Sequence, residues 1–235
     1  MAIRPAIIFD LDGVLTDTAE LHFQAWKRLA DERGIPFDRQ HNQSLRGVGR
    51  EESLRRLLAG RPVSPSKFAA MLERKNDYYL AMIAKLTPDD LAPGAAELLA
   101  NLRRLRWKIG LASGSRNAQR VVDRLRIREW FSGIADGASV ERGKPAPDLF
   151  LHCAGLIGAS PSACVVVEDA PAGLQAARAA GMHTVSVGPD TVSEMADLHV
   201  ADVSELHAAE LAAILGRSDY GAARPTVASS SFGPF

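Results

Sequence analysis

The sequence predicts an α/β protein built on a doubly wound parallel sheet, with a helical unit inserted after its first strand. Three observations carry this reading. From Lys108 onward, short apolar runs alternate with helix-like stretches. One more such run, Ala6-Ile7-Ile8-Phe9, stands close to the N-terminus. Between that run and Thr87-Pro88 no strand pattern stands out, only apolar residues at helical spacing.

The elements follow in order. Ala6–Phe9 reads as a strand buried on both faces, ending at Asp10. Leu21, Ala25, Leu29 and Ala30 form a first helical stripe, and Leu54, Leu57 and Leu58 a second. Phe68, Met71 and Leu72 form a third, and Tyr78, Tyr79, Met82 and Ile83 a fourth. Gly34-Ile35-Pro36 and Arg61-Pro62-Val63-Ser64-Pro65 punctuate them. A helix over residues 94–105 leads to a strand at Lys108–Ala112. A helix at Ala118–Leu125, a short strand near Ile134-Ala135-Asp136 and a helix opened by Pro147 come next. Residues 164–167 form a buried-type strand, 172–180 an Ala-rich helix closed by Gly181, and 184–187 a further strand. The expected division is a core of residues 1–15 and 88–217, a helical unit of 16–87, and a tail of 218–235. That tail is rich in Gly, Ala, Ser and Pro and reads as mobile.

A chain of 235 residues is long enough to bury a sizeable core, as one large domain or two small ones. Its 28 basic and 28 acidic residues cancel, which argues against nucleic acid or an anionic membrane as the main partner. The hydrophobic share of 46% and charged share of 24% exclude disorder throughout. Cys153 and Cys164 each lie in an apolar run, read as buried reduced thiols without zinc-ligand spacing. The start, Met1-Ala2-Ile3-Arg4-Pro5, lacks the apolar stretch of a signal peptide. No apolar run reaches the ~18 residues of a membrane span, so the expected compartment is the cytoplasm; the chain is separately expected to be a monomer.

In an open α/β sheet, ligands gather beyond the carboxyl ends of the strands. Here those ends carry Asp10-Leu11-Asp12-Gly13, Ser113-Gly114-Ser115 and Glu168-Asp169, while Lys144 stands in Gly143-Lys144-Pro145 just before a helix. Clustered carboxylates repel one another and are stable around a cation; with oxygen ligands alone, Mg²⁺ is the natural choice. A carboxylate beside Mg²⁺ stays ionised and can attack phosphorus. A second carboxyl two residues on can act as general acid and base. Ser113 and nearby N–H groups can grip phosphoryl oxygens, and Lys144 can neutralise their charge. The implied reaction is phosphoryl transfer through an aspartyl-phosphate. In the helical unit, Gly47 and Gly49 flank Val48 and allow close backbone approach to a ligand. Arg46 and Arg50 supply forked donors suited to phosphate. Trp26, at helical spacing, reads as core of the helical unit rather than a sugar platform. Lys75 sits in Glu73-Arg74-Lys75-Asn76-Asp77, which alone could be a solvated helix face.

These residues resemble the four signature motifs of the haloacid dehalogenase-like superfamily, whose helical-cap subfamily carries a four-helix cap after the first motif. Within it the chain is similar to the β-phosphoglucomutase family over roughly residues 5–190. Asp12-Gly13-Val14-Leu15-Thr16-Asp17-Thr18, His22 with Ala25-Trp26, Leu45-Arg46-Gly47-Val48-Gly49-Arg50 and Ser113-Gly114-Ser115-Arg116-Asn117 carry the likeness. So do Lys144-Pro145-Ala146-Pro147-Asp148 and Glu168-Asp169-Ala170-Pro171-Ala172-Gly173. The resemblance implies a Rossmann-like core with that cap, and a Mg²⁺-dependent mutase acting on hexose phosphates and a hexose bisphosphate, or alternatively a sugar-phosphate phosphatase. It implies Asp10 as nucleophile and Asp12 as general acid/base whose main-chain carbonyl also ligates Mg²⁺. Glu168 and Asp169 complete the metal site with Asp10, and Ser113 and Lys144 hold the transferring group. Thr18 sits in the hinge and bonds the catalytic carboxyls. It implies that Arg50 from the cap, with Ser115, Arg116 and Asn117 from the loop that includes Gly114, would hold the distal phosphate. His22, Arg46, Gly47, Val48, Ser53 and Lys75 line the cap side of the sugar site.

Three positions depart from the commonest family pattern. Arg46 and Arg116 stand where lysine is frequent, and Gly49 where serine is frequent. The arginines keep the charge but allow forked phosphate contacts, and Gly49 removes a helix N-cap before Arg50.

Overall fold

The computed structural model describes residues 4–216. Six strands form one parallel sheet: β1 (Ala6–Phe9), β2 (Lys108–Ala112), β3 (Gly133–Ala135), β4 (Cys164–Glu168), β5 (His183–Val187) and β6 (Leu198–Val200). Their order across the sheet is β3-β2-β1-β4-β5-β6. The chain leaves β1 toward β2 on one side and later returns to β4 on the other. The crevice between the ends of β1 and β4 is therefore the topological switch point, where such sheets bind ligands.

Between β1 and β2 lie α1 (Thr18–Glu32), α2 (Arg39–Gln43), α3 (Arg50–Leu58) and α4 (Pro65–Ile83). The remaining helices are α5 (Ala95–Arg104), α6 (Ala118–Leu125), α7 (Asp148–Leu156), α8 (Pro171–Ala179) and α9 (Ala208–Leu215). Apolar residues alternate between the two faces of the sheet, because successive side chains of a strand point to opposite sides. Ile7, Phe9, Val165 and Val167 pack with Leu98 and Leu102 of α5, Val121 and Val122 of α6 and Leu211 of α9. Ala6, Ile8, Cys164 and Val166 pack with Leu149 and Phe150 of α7 and Ala176 and Ala177 of α8. The sheet is thus covered on both faces, as its continuous apolar runs require.

The four helices of the insertion have a core of their own around Trp26, Leu29, Leu54, Leu57 and Leu72. Their arrangement corrects one expectation. The third and fourth apolar stripes belong to a single helix, α4, of 19 residues. Ser64 caps it by accepting the Lys67 N–H, Pro65 opens it, and no Gly or Pro interrupts it. Met71 and Leu72 in its first half face the insertion's core, whereas Tyr78, Tyr79 and Ile83 in its second half join the α/β core. The change of partner along one helix moves the stripe, which explains why it reads as two. The fourth helix is instead the five-residue α2, which starts where the Asp38 side chain accepts the His41 N–H.

The insertion joins the core through two adjacent segments. Thr16 pairs with Leu91 in an antiparallel bridge, the Ala92 N–H donates to the Leu15 carbonyl at 2.8 Å, and the Thr16 hydroxyl donates to the Asp90 carbonyl at 2.8 Å. Both cysteines are free and buried, and burial pushes the Cys153 thiol up to about 12 and the Cys164 thiol up to about 11. They are structural rather than reactive thiols. Among the described residues no helix is long and apolar enough to cross a membrane. The sequence reading did not include β6 or α9, and the tail expected at 218–235 lies outside the described residues.

Candidate active site

The chain turns sharply once β1 has ended at Phe9. Asp10 is buried, and its Oδ2 accepts the backbone N–H of Asp12 at 2.9 Å. Gly13 has φ +90°, and a Cβ there would stand 2.1 Å from Asp169 Oδ2, so only glycine fits this turn. Glu168 ends β4 and Asp169 follows it. Oxygens of Asp10, Glu168 and Asp169 lie within 4.8 Å of one another, and all three residues are buried. The Lys144 ammonium donates to Asp10 Oδ1 at 2.6 Å and to Glu168 Oε2 at 2.8 Å.

Lys144 and, on Asp169, Arg46 set two positive charges against three carboxylates. Burial pushes all three carboxyls above their ordinary range, against the attraction of Lys144 on Asp10 and Glu168 and of Arg46 on Asp169. Burial alone would lower the Lys144 ammonium, but Asp10 and Glu168 outweigh it and hold it above its ordinary value. Glu168 Oε1 is buried without a hydrogen-bond partner. An orphaned carboxylate oxygen beside two more carboxylates fits a hard divalent cation held by oxygen.

Asp12 faces a different set of groups. Its Oδ1 accepts the Thr18 hydroxyl at 2.7 Å, and its Oδ2 accepts the Ser113 hydroxyl at 2.9 Å. Thr18 opens α1 and Ser113 directly follows β2, so the carboxylate is strung between insertion and core. Tyr79 Oη stands 3.4 Å and His22 Nε2 3.6 Å from the same Oδ1. His22 stacks on Tyr79 with ring centroids 3.9 Å apart, and its Nδ1 is 2.6 Å from Lys75 Nζ. Lys75 is buried, 4.8 Å above the Trp26 ring, and burial lowers its ammonium to about 7 against the pull of Asp12. Burial and then the Lys75 charge push His22 well below its ordinary value, so its imidazole is neutral.

A cleft of about 820 Å³, open mouth included, separates this floor from the insertion. Arg46 reaches down from the insertion to pair with Asp169. Gly47 has φ +73°, and a Cβ there would meet the Ala170 Cβ at 2.9 Å. Gly49 is the N-cap of α3 and has no side chain to cap it; Ser53 Oγ donates to its carbonyl at 3.1 Å. Arg50 follows, its Nε buried and without a hydrogen-bond partner. Burial, then the nearby Arg116 charge, holds the Arg50 guanidinium below its ordinary value. From the core side, Arg116 Nη2 donates to Glu51 Oε1 at 3.2 Å and Asn117 Nδ2 donates to Asn76 Oδ1 at 2.9 Å.

The sequence profile of the haloacid dehalogenase-like hydrolases matches residues 5–181. The chain belongs to the haloacid dehalogenase-like hydrolase family. A β-phosphoglucomutase of Bacillus subtilis is 46% identical over 205 residues, spanning 86% of this chain and 91% of that one. The crystal structure of a β-phosphoglucomutase from Clostridium difficile superposes with a TM-score of 0.87 at 38% identity, covering 91% of this chain and 98% of that one. A phosphorylated carbohydrates phosphatase of Thermotoga maritima is 30% identical over 182 residues, 77% of this chain and 83% of that one.

Of the residues singled out in the sequence of this haloacid dehalogenase-like protein, most meet at the cleft wall. Asp10, Asp12 and Asp169 line it, with His22, Arg46, Gly47, Val48, Arg50, Ser53 and Lys75 from the insertion and Gly114, Ser115, Arg116 and Asn117 from the core. Thr18, Ser113, Lys144 and Glu168 stand behind that wall, all buried and bonded to Asp10, Asp12 or each other. In this structure the Ser113 hydroxyl donates to Asp12 and accepts the Ser115 N–H at 3.0 Å. Lys75 is no solvated face, and Trp26 is core as expected, though it also borders the cleft. Sequence reasoning missed Tyr79, Asn76 and Glu51 as site neighbours. For Tyr79 a signal existed: it lies four residues after Lys75, hence on the same helix face.

Proposed function

We propose that this chain is a mutase that interconverts β-D-glucose 1-phosphate and glucose 6-phosphate through an aspartyl-phosphate and β-glucose 1,6-bisphosphate. The observation that carries the reading is a second cationic set in the same cleft as Asp10. Arg50, with its buried unpartnered Nε, comes from α3, and Arg116 comes from the loop after β2. A monophosphate hydrolysed by water needs one phosphate site, whereas a bisphosphate intermediate needs two. The 46% identity to the Bacillus subtilis enzyme supports the same reading.

In this mechanism an Asp10 oxygen attacks phosphorus and the phosphate ester bond to the sugar breaks. Lys144, already 2.6 Å from Asp10, offsets the charge on the transferring group. Asp12 gives a proton to the departing sugar oxygen and takes one from the sugar hydroxyl that later attacks the aspartyl-phosphate. Thr18 and Ser113 fix that carboxylate, and Ser113 exchanges its bond for one to phosphoryl oxygen when the group arrives. Asp10, Glu168, Asp169 and the Asp12 main-chain carbonyl would hold Mg²⁺, which would neutralise charge on the transferring group. His22, Arg46, Gly47, Val48, Ser53 and Lys75 receive the sugar, and Gly114, Ser115 and Asn117 join the two arginines around the distal phosphate. Residues 16–87 act as the cap that closes on the substrate and excludes water. Both phosphate sites come from one chain, so a monomer suffices. We assign the reaction to the cytoplasm, where such anions are retained.

A second reading, a sugar-phosphate phosphatase, is favoured by the 30% identity to the Thermotoga maritima phosphatase. Product analysis separates the two. With β-glucose 1-phosphate and bisphosphate primer, the mutase forms glucose 6-phosphate far faster than inorganic phosphate. Equal rates of both products would make the phosphatase reading the right one.

A further inference from the structure

We propose that Glu51 is a built-in competitor of the distal phosphate for Arg116. This rests on the mutase reading and deepens it. Asp10 is the single nucleophile of that mechanism, so the bisphosphate must present first one end and then the other. Each turn requires the distal phosphate to leave its site. When it leaves, two guanidiniums from opposite sides of the cleft face each other, and the Arg116 charge already contributes to depressing Arg50. The Glu51 carboxylate meets that need, with Oε1 at 3.2 Å from Arg116 Nη2.

Its place in the fold suits the task. Glu51 directly follows Arg50 in the first turn of α3, where the helix dipole favours a carboxylate. Any movement of the cap that brings Arg50 to the phosphate therefore brings Glu51 to Arg116. The pair is half-exposed, with side-chain accessibilities of 43% for Arg116 and 47% for Glu51. Such a bond is weak and reversible. A phosphate dianion, which accepts forked donors from arginine, displaces it when it arrives. The carboxylate takes the arginine back when the phosphate departs.

The test measures KM for β-glucose 1,6-bisphosphate and kcat in the full chain, for the parent, Glu51→Gln, Glu51→Asp and Arg116→Ala, with melting curves to confirm folding. Glu51→Gln removes the competing charge at constant shape. It should lower KM about two- to five-fold, the range of a half-exposed ion pair. The kcat value should fall with it, because release of the distal phosphate slows. Glu51→Asp, which keeps the charge but one methylene further from Arg116, should fall between the parent and Glu51→Gln. A KM in Glu51→Gln that stays the same or rises overturns the inference, as does a kcat that rises or an aspartate variant that matches the glutamine one. Arg116→Ala should raise KM. If it does not, the distal-phosphate assignment itself fails; if it does while Glu51→Gln is silent, only the competitor role fails.

Discussion

Asp12 shows how three hydroxyls prepare one carboxylate. Thr18 and Ser113 hold its two oxygens at 2.7 and 2.9 Å, and the Tyr79 phenol approaches at 3.4 Å. Asn in its place keeps an acceptor for Thr18 and the shape of the turn, but cannot carry the proton. Asp12→Asn should lower kcat by about 10²- to 10⁴-fold with an unchanged melting temperature, checked by steady-state kinetics and thermal melting. Lys75 makes the opposite case, a residue kept against stability. Its ammonium falls to about 7 in the fold from its ordinary 10.5, so the unfolded chain binds more protons between those pH values. Stability therefore rises with pH across that window, and the full cost of burying the charge is felt below it. Lys75→Met, which keeps most of the stem, should stabilise the chain by about 1–3 kcal/mol near pH 6–7, discounted from about 1.4 kcal/mol per pKa unit. The gain should shrink toward pH 10. Denaturant melts at several pH values check it, and a gain that grows with pH would refute the burial argument.

At the scale of elements, the start of α8 backs the acid cluster. α8 begins so close to β4 that a Cβ on Gly173 would stand 2.1 Å from the Glu168 Cδ. Gly173→Ala must push that carboxylate aside. We expect Mg²⁺ affinity to fall at least about ten-fold by calorimetric titration, in line with losses at residues that orient metal ligands. Gly181 is the control. It has φ +72° with nothing near its Cβ position, so Gly181→Ala should cost about 1 kcal/mol of stability and leave metal affinity unchanged. Elements of this kind were legible in the sequence for a physical reason. A strand buried on both faces is a continuous apolar run, so Ile7-Ile8 and Val165-Val166-Val167 announce β1 and β4, and the acids that end them stand out. β6 does not announce itself, being three residues at the sheet edge with His199 in the middle. Nor do the bonds across the cleft. Arg46–Asp169, Arg116–Glu51 and Asn117–Asn76 join residues 123, 65 and 41 positions apart, and the angle at which the cap meets the core decides them. No local pattern records that angle.

For the whole molecule, a cation at the acid cluster would couple binding to stability. Asp10, Glu168 and Asp169 are buried with their carboxyls raised, so the fold holds charge that repels itself. A cation that binds only the folded state adds about 2.7 kcal/mol at a concentration of about 100 Kd. For a chain of this size that raises the melting temperature by roughly 5–10 °C. Mg²⁺ against excess chelator in a thermal melt checks the shift, and Asp169→Asn should remove most of it. An equal melting temperature with and without the cation would exclude the site.

The position of β1 has a consequence in time. β1 leaves the ribosome well before the strands it pairs with, since Ala6 finds its neighbours at Lys108 and Cys164. Until Glu168 has been made, about seven-tenths of the way along the 235 residues, β1 has at least one open edge and Asp10 lacks Glu168 and Asp169 beside it. The growing chain therefore lacks the assembled acid cluster, but it does offer a sticky apolar strand. The insertion that follows β1 gathers its own core, residues 23–72, in that interval, while Tyr78, Tyr79 and Ile83 of α4 wait for the α/β core. Nascent fragments ending before Cys164 are thus the forms of this protein most in need of a chaperone, and the completed fourth strand is the event that ends that need.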